Sequence, residues 1–171
     1  MLQARKDEAT VTPAGERLET LIDGVSLRYA TTHFDERGEV CEIYDPAWGL
    51  SSAPLVYVYA ALIRPARIKG WVYHKEQIDR MFALSGFLRI VLYDPREGSP
   101  SRGMINEIHL TERNRGLVVI PPLVVHAVQN VGNIDAAFVN MPDRPYNHLN
   151  PDKYRVDKSS VPYDFDKGAG W

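Results

Sequence analysis

The sequence predicts an all-β fold, an antiparallel sandwich or barrel. Three observations predict it. Short apolar runs recur at roughly the strand-plus-turn spacing of such folds, turn chemistry separates them, and no long window carries a helical period. The chain has 171 residues, of which 44% are hydrophobic and 25% charged, enough for one ordinary core.

The elements follow in order. Residues 1–24 are polar, with Pro13 and Gly15, and read as a tail or cap. Residues 25–34 are strand-like and stop at the turn signal Asp35-Glu36-Arg37-Gly38. Residues 40–44 follow, and Pro46, Gly49 and Pro54 mark a loop. Residues 55–63 set Val56, Val58 and Ala60 against Tyr57, Tyr59 and Ala61, the period of a half-buried strand. Further strands are expected at 81–84, 87–93, 104–110, 117–120, 124–128 and 136–141. Gly86, the stretch DPREGSPSRG, the stretch ERNRG and Asn130-Val131-Gly132-Asn133 separate them. This makes 25–141 the β domain, and 142–171, rich in Pro, Asp, Tyr and Asn, an arm packed on it.

Charge and cysteine usage narrow the function. A net charge of −2 argues against a nucleic-acid or membrane-surface protein. Cys41 is the single cysteine, which excludes an internal disulfide and a cysteine-rich zinc site. No apolar run approaches the roughly 20 residues of a spanning helix, and MLQARKDEAT has no secretory apolar stretch, so a cytoplasmic protein is expected.

Two segments hold the candidate chemistry. KGWVYHKEQIDRMFALSG carries Gly70, His74, Asp79 and Gly86; GLVVIPPLVVHAVQN carries Pro121, His126 and Asn130. Barrels of antiparallel strands bring such distant segments side by side at one mouth. Asp79 follows Ile78 in an apolar strand, and a buried carboxylate needs a partner, for which His74 or His126 is suited.

On these residues the chain resembles the cupins, and within them the dTDP-4-dehydrorhamnose 3,5-epimerase and dTDP-sugar isomerase group. Asp79 and Gly86 keep the cupin carboxylate-to-glycine spacing, His74 is the second histidine of His-x-His, and Pro121, His126 and Asn130 keep the second segment, with Leu123 in place of its glycine. HFDERGEVCE, LYDPREGSPSRGMINEIHL and RPYNHLNPDKYRV followed by VPYDF resemble further epimerase segments, so the likeness spans about residues 31 to 165.

The resemblance implies a cupin-type jelly roll (a double-stranded β-helix), a homodimer that exchanges or pairs edge strands, no cofactor and no metal. It implies an epimerase or isomerase acting on a dTDP-4-keto-deoxysugar by proton abstraction beside the ketone. It also implies that Arg37 reaches the nucleotide pyrophosphate, that Lys69 replaces the arginine of Arg-Gly-x-His, and that Tyr57 and Tyr59 line the sugar-nucleotide site. His126 falls on the far wall. The family's base and acid positions hold Val72 and Val139, and a family lysine becomes Asp79. The related 3,4-ketoisomerases carry His-x-His-Lys, which His74 and Lys75 partly match, so His74 with Asp79 or His126 forms the working pair.

Other readings of the same residues stand beside this one. Arg37 could pair only with Asp35 or Glu36 in its turn, and Tyr57 and Tyr59 could be packing residues. His74, Asp79 and His126 could form a two-histidine, one-carboxylate metal site. A cupin that binds a sugar nucleotide without turning it over is the remaining alternative, resting on Val72 and Val139.

Overall fold

A computed structural model describes residues 6–15 and 17–166; Met1–Arg5 of the tail and 167–171 of the arm lie outside the described residues. Among the described residues twelve strands run in chain order: β1 (Ser26–Tyr29), β2 (Thr32–Asp35), β3 (Gly38–Cys41), β4 (Tyr59–Ile63), β5 (Ile68–Tyr73), β6 (Asp79–Ser85), β7 (Phe87–Tyr93), β8 (Ile105–Thr111), β9 (Gly116–Ile120), β10 (Val125–Asn130), β11 (Ala136–Asn140) and β12 (Tyr154–Arg155). One five-stranded sheet has the order β1-β9-β6-β11-β4 and the facing one β12-β5-β10-β7-β8, while β2 and β3 form a separate hairpin. Every pairing is antiparallel, as in a jelly roll. No helix of the described residues is long and apolar enough to cross a membrane.

Alternation along the strands builds the core. Met81 and Ala83 of β6 and Leu88, Ile90 and Leu92 of β7 face inward, where they meet Ile120, Ile108 and Phe138. The opposite parity faces outward: Phe82 and Leu117 are covered by Tyr44, Trp48 and Leu50, and Trp71, Val91 and Ala127 by Val161 and Phe165 of the arm. Full burial of each such aromatic or aliphatic side chain contributes about 1.5–3 kcal/mol.

Several boundaries differ from expectation. The expected 25–34 strand is two strands, because Ala30 N–H bonds Arg115 C=O and the chain then leaves the sheet for the β2–β3 hairpin. Only Tyr59–Ile63 of 55–63 enters a ladder. Strands β5 and β12 were not in the expected series; β5 is broken by a bulge opposite β10, which hides its period. Gly86 makes the β6–β7 turn at φ +76°, and a Cβ there would lie 2.5 Å from Ala136 Cβ.

Arg80, fully buried on β6, holds the 44–54 loop. It donates to Met141 C=O (2.8 Å), Tyr44 OH (2.9 Å), Ala53 C=O (3.0 Å) and Pro54 C=O (2.7 Å). This loop leads into β4, so Arg80 indirectly sets where that edge strand begins.

Candidate active site

At one end of the barrel the two sheets part around a cavity of about 320 Å³, lined by Tyr59, Lys69, His74, Asp79, His126 and Lys153 among others. Inward parity puts Asp79 there from β6, just before the core residues Met81 and Ala83, and His126 from β10 two places before Val128. His74 follows β5 in the same parity as Val72, which pairs with His126 across the sheet. The bulge between β5 and β10 sets Val128 opposite Lys69, and Lys69 also lines the cavity.

Asp79 is 1% exposed and fully engaged. Its Oδ2 lies 3.2 Å from His74 Nε2 and 3.3 Å from His126 Nε2; its Oδ1 accepts from Gln77 Nε2 and Asn140 Nδ2, each at 2.8 Å. Burial alone would raise this carboxyl, but hydrogen bonds from His126 and His74, and their charge, hold it far below the usual carboxylate range. For His74, burial works against the charged ring, yet Asp79 and the Asp152 carbonyl outweigh it and raise the imidazole pKa.

The other nitrogens are engaged too. His126 Nδ1 faces Val124 C=O at 3.1 Å and His74 Nδ1 hydrogen-bonds Asp152 C=O. Each ring therefore has an oxygen within hydrogen-bond reach of both nitrogens, so a proton on either nitrogen already has an acceptor. Neither histidine has a nitrogen free for a substrate proton without releasing a partner. As bases they would have to let go of Asp79 or of a backbone carbonyl.

The arm closes the arrangement. Asp152 accepts the N–H groups of Lys75 and Glu76 at 2.9 Å each and of Gln77 at 3.0 Å, and β12 then pairs Tyr154 with Tyr73 and Arg155 with Val72. Tyr154 stacks on Tyr73 at 5.0 Å outside the barrel, while Lys153 and Arg155, of opposite parity, line the cavity. Leu123 stands at the expected glycine position with φ +67°, and its N–H donates to His74 C=O at 2.7 Å.

Thus His74, Asp79, His126, Lys69 and Tyr59 come together. Arg37 and Tyr57 do not join them on this chain: Arg37, 81% exposed, pairs with Asp35 in the hairpin, and Tyr57 packs on Tyr59 at 5.7 Å without lining the cavity. Val72 lines the cavity, but Val139 points outward, and its neighbour Phe138 takes the inward place. The sequence reading missed Gln77, Asn140, Lys153 and Arg155. The alternation Lys-Tyr-Arg was the available signal for the last two, although a two-residue strand is too short to show a period.

No protein-family model matches the chain. The spore coat polysaccharide biosynthesis protein SpsL of Bacillus subtilis is 30% identical over 142 residues, covering 80% of this chain and 89% of that protein. The chain belongs to the cupin-class dTDP-4-dehydrorhamnose 3,5-epimerase and dTDP-sugar isomerase family. A probable low-salt glycan biosynthesis epimerase, Agl13 of Haloferax volcanii, is 27% identical over 144 residues, with 84% of this chain and 89% of that protein covered. Among solved structures, a dTDP sugar isomerase from Desulfovibrio desulfuricans superposes with a TM-score of 0.79 at 25% identity, over 86% of this chain and 94% of that one. The cupin-type jelly roll and an epimerase-like enzyme of sugar-nucleotide chemistry follow from this membership.

Proposed function

We propose that the enzyme epimerises or isomerises a dTDP-linked 4-keto-deoxysugar without a cofactor, removing and returning a proton beside the ketone. One arrangement carries this reading: a buried carboxylate bridging two histidines on the floor of a sugar-sized cavity, beneath Lys69, Lys153 and Arg155. Removing that proton leaves negative charge on the ketone oxygen, and preorganised positive groups in a desolvated site stabilise it. His74 and His126, held by Asp79, are the catalytic floor, and Lys69 faces the same charge. Tyr59 contacts the sugar nucleotide and Tyr57 backs it.

Arg37 completes the site in a homodimer, where it reaches the partner's nucleotide pyrophosphate with its planar fork. Two features support the dimer. Among the described residues the β2–β3 hairpin pairs with no other strand and exposes Phe34 (76%) and Val40 (70%), and β4 ends a sheet with an unpaired edge. The enzyme is proposed to act in the cytoplasm, with 1–24 as tail, 25–141 as jelly roll and 142–171 as arm.

Proton NMR of dTDP-4-keto-6-deoxyglucose in heavy water, with chelated protein, tests the reaction. Deuterium should enter at C3 or C5, and His74→Ala should abolish it. No incorporation by the wild-type protein would sink this reading for that sugar.

A second reading has its own observation. His74 Nε2, His126 Nε2 and an Asp79 oxygen lie within 4.8 Å of one another, with both Nδ1 atoms on backbone carbonyls, the usual orientation of metal-bound histidines. These three residues fit a divalent cation, which would polarise the ketone oxygen as a Lewis acid. Loss of exchange on chelation, with stoichiometric cobalt uptake giving a ligand-field spectrum, would favour it.

A further inference from the structure

The fully engaged histidines leave open which groups carry the proton. Two cavity residues have the freedom they lack. Tyr59 belongs to β4, the edge of one sheet; Lys153 immediately precedes β12, the edge of the facing sheet. Both line the cavity, and the floor of His74, Asp79 and His126 lies between the two sheets. Tyr59 OH accepts from Asn140 Nδ2 at 2.9 Å, and among the described residues nothing takes its proton. Lys153 makes no ion pair among the described residues.

We propose that Lys153 and Tyr59 are the two proton carriers of the reaction, working from opposite walls of the cavity on opposite faces of the sugar. This rests on the epimerase reading above. The neutral amine of Lys153 takes the proton from the carbon beside the ketone. The C–H electron pair becomes the new C=C bond, and the carbonyl π pair moves to oxygen. Tyr59 O–H then delivers a proton to the other face of that carbon; the C=C pair forms the new C–H bond and the ketone re-forms. The phenolate regains a proton from the Lys153 ammonium through water, which restores both groups.

The surroundings suit these roles. Lys153 is exposed as a residue, but the cavity wall desolvates its ammonium, and Arg155 and Lys69 repel the charge; together they lower its pKa against the pull of Asp79. Tyr59 and the histidine pair are the remaining titratable groups lining the cavity. Burial raises the Tyr59 pKa, with Asp79, Tyr57 and Tyr146 adding to it and Asn140 opposing, so the phenol stays protonated until it is used. The anchor for Lys153 is rigid, because Asp152 is bonded to three backbone N–H groups and to His74. The arm therefore brings an amine into the space that Val72 leaves without a functional group.

The test follows deuterium entry and product configuration together on the same substrate. Lys153→Met should lose exchange and inversion roughly 10²–10⁴-fold, the usual range for a general base, with dTDP affinity changed less than threefold. Lys153→Arg should not rescue it. Tyr59→Phe should keep exchange with retained configuration while inversion falls by a similar factor. Lys153→Cys in a Cys41→Ser background, alkylated with 2-bromoethylamine, should restore turnover with the kcat–pH profile moved to lower pH, a shift that a merely structural lysine would not produce. Lys153→Met with exchange within threefold of wild type overturns the proposal and leaves the epimerase reading intact. Absence of exchange in the wild-type protein overturns both.

Discussion

Asp79 and Asp94 are both buried carboxylates, 1% and 0% exposed, and both are held far below the usual carboxylate range. Their surroundings differ in reach. Asp94 is enclosed by its own loop: Arg96 grips it with Nε at 2.7 Å and Nη2 at 2.9 Å, and Ser99 and Ser101 hydroxyls donate at 2.6 Å each. Asp79 gathers His74 and Gln77 from nearby, but His126 and Asn140 from strands 47 and 61 residues on, and it lies on a cavity wall. One carboxylate locks a turn. The other ties the two sheets together where a ligand can reach.

The strongest way to break this contrast is to neutralise each aspartate. Asp79→Asn should abolish solvent-proton exchange and, by leaving two histidines unpaired in the interior, destabilise the fold by about 3 kcal/mol. Asp94→Asn should cost a comparable amount through the stranded Arg96 while kcat per folded molecule stays within about threefold. Denaturant titration with active-site counting separates the two. Equal loss of kcat in both variants would refute the division of roles.

An intermediate effect is the response to pH in chelator-treated protein. Both aspartates have folded pKa values below the unfolded value of about 3.9, so their stabilisation is present above that value and lost as pH falls through the folded ones. His74 has the opposite sign. Its folded pKa lies above about 6.5, so its contribution is complete below that pH and declines as pH rises through the folded value. Unfolding free energies at intervals between pH 5 and 9 should therefore fall on the alkaline side in the wild type and Asp94→Asn, and flatten in Asp79→Asn. A wild-type curve without an alkaline decline would remove the charged His74.

The smallest effect lies in the backbone. In the Asp94 loop the positive-φ positions are Gly98 (+82°) and Gly103 (+83°), whereas beside His74 the position is Leu123 (+67°). Because Leu123 is 43% exposed, Leu123→Gly should relieve about 1 kcal/mol of left-handed strain, offset in part by unfolded-chain entropy. A small rise in melting temperature is the expected reading, and a fall would mean that its side chain is holding the turn.

The same contrast explains what the sequence disclosed. Strand β7 was legible because inward and outward residues alternate without interruption, and the stretch DPREGSPSRG that holds Asp94 through its turn residues. His74, Asp79 and His126 were legible through spacing. Asn140 and Gln77 were not, since an amide that positions a carboxylate leaves no pattern along the chain. Lys153 and Arg155 were hidden for a further reason: they follow Asp152, which is pinned to the turn after β5 by contacts distant in the chain. Val139 faces outward because it follows the inward-facing Phe138 along β11.

The Asp152 clamp also sets a schedule. His74 finds its Nδ1 acceptor in a residue 78 positions later, so a growing chain can complete both sheets of strands through β11 while the cluster of His74, Asp79 and His126 still lacks that acceptor. The site is finished only after the residues of β1 to β11 have been made. A single cut in the exposed segment before Asp152, where Leu149 is 98% exposed, would release that acceptor from the continuous chain while sparing most of the barrel's pairings.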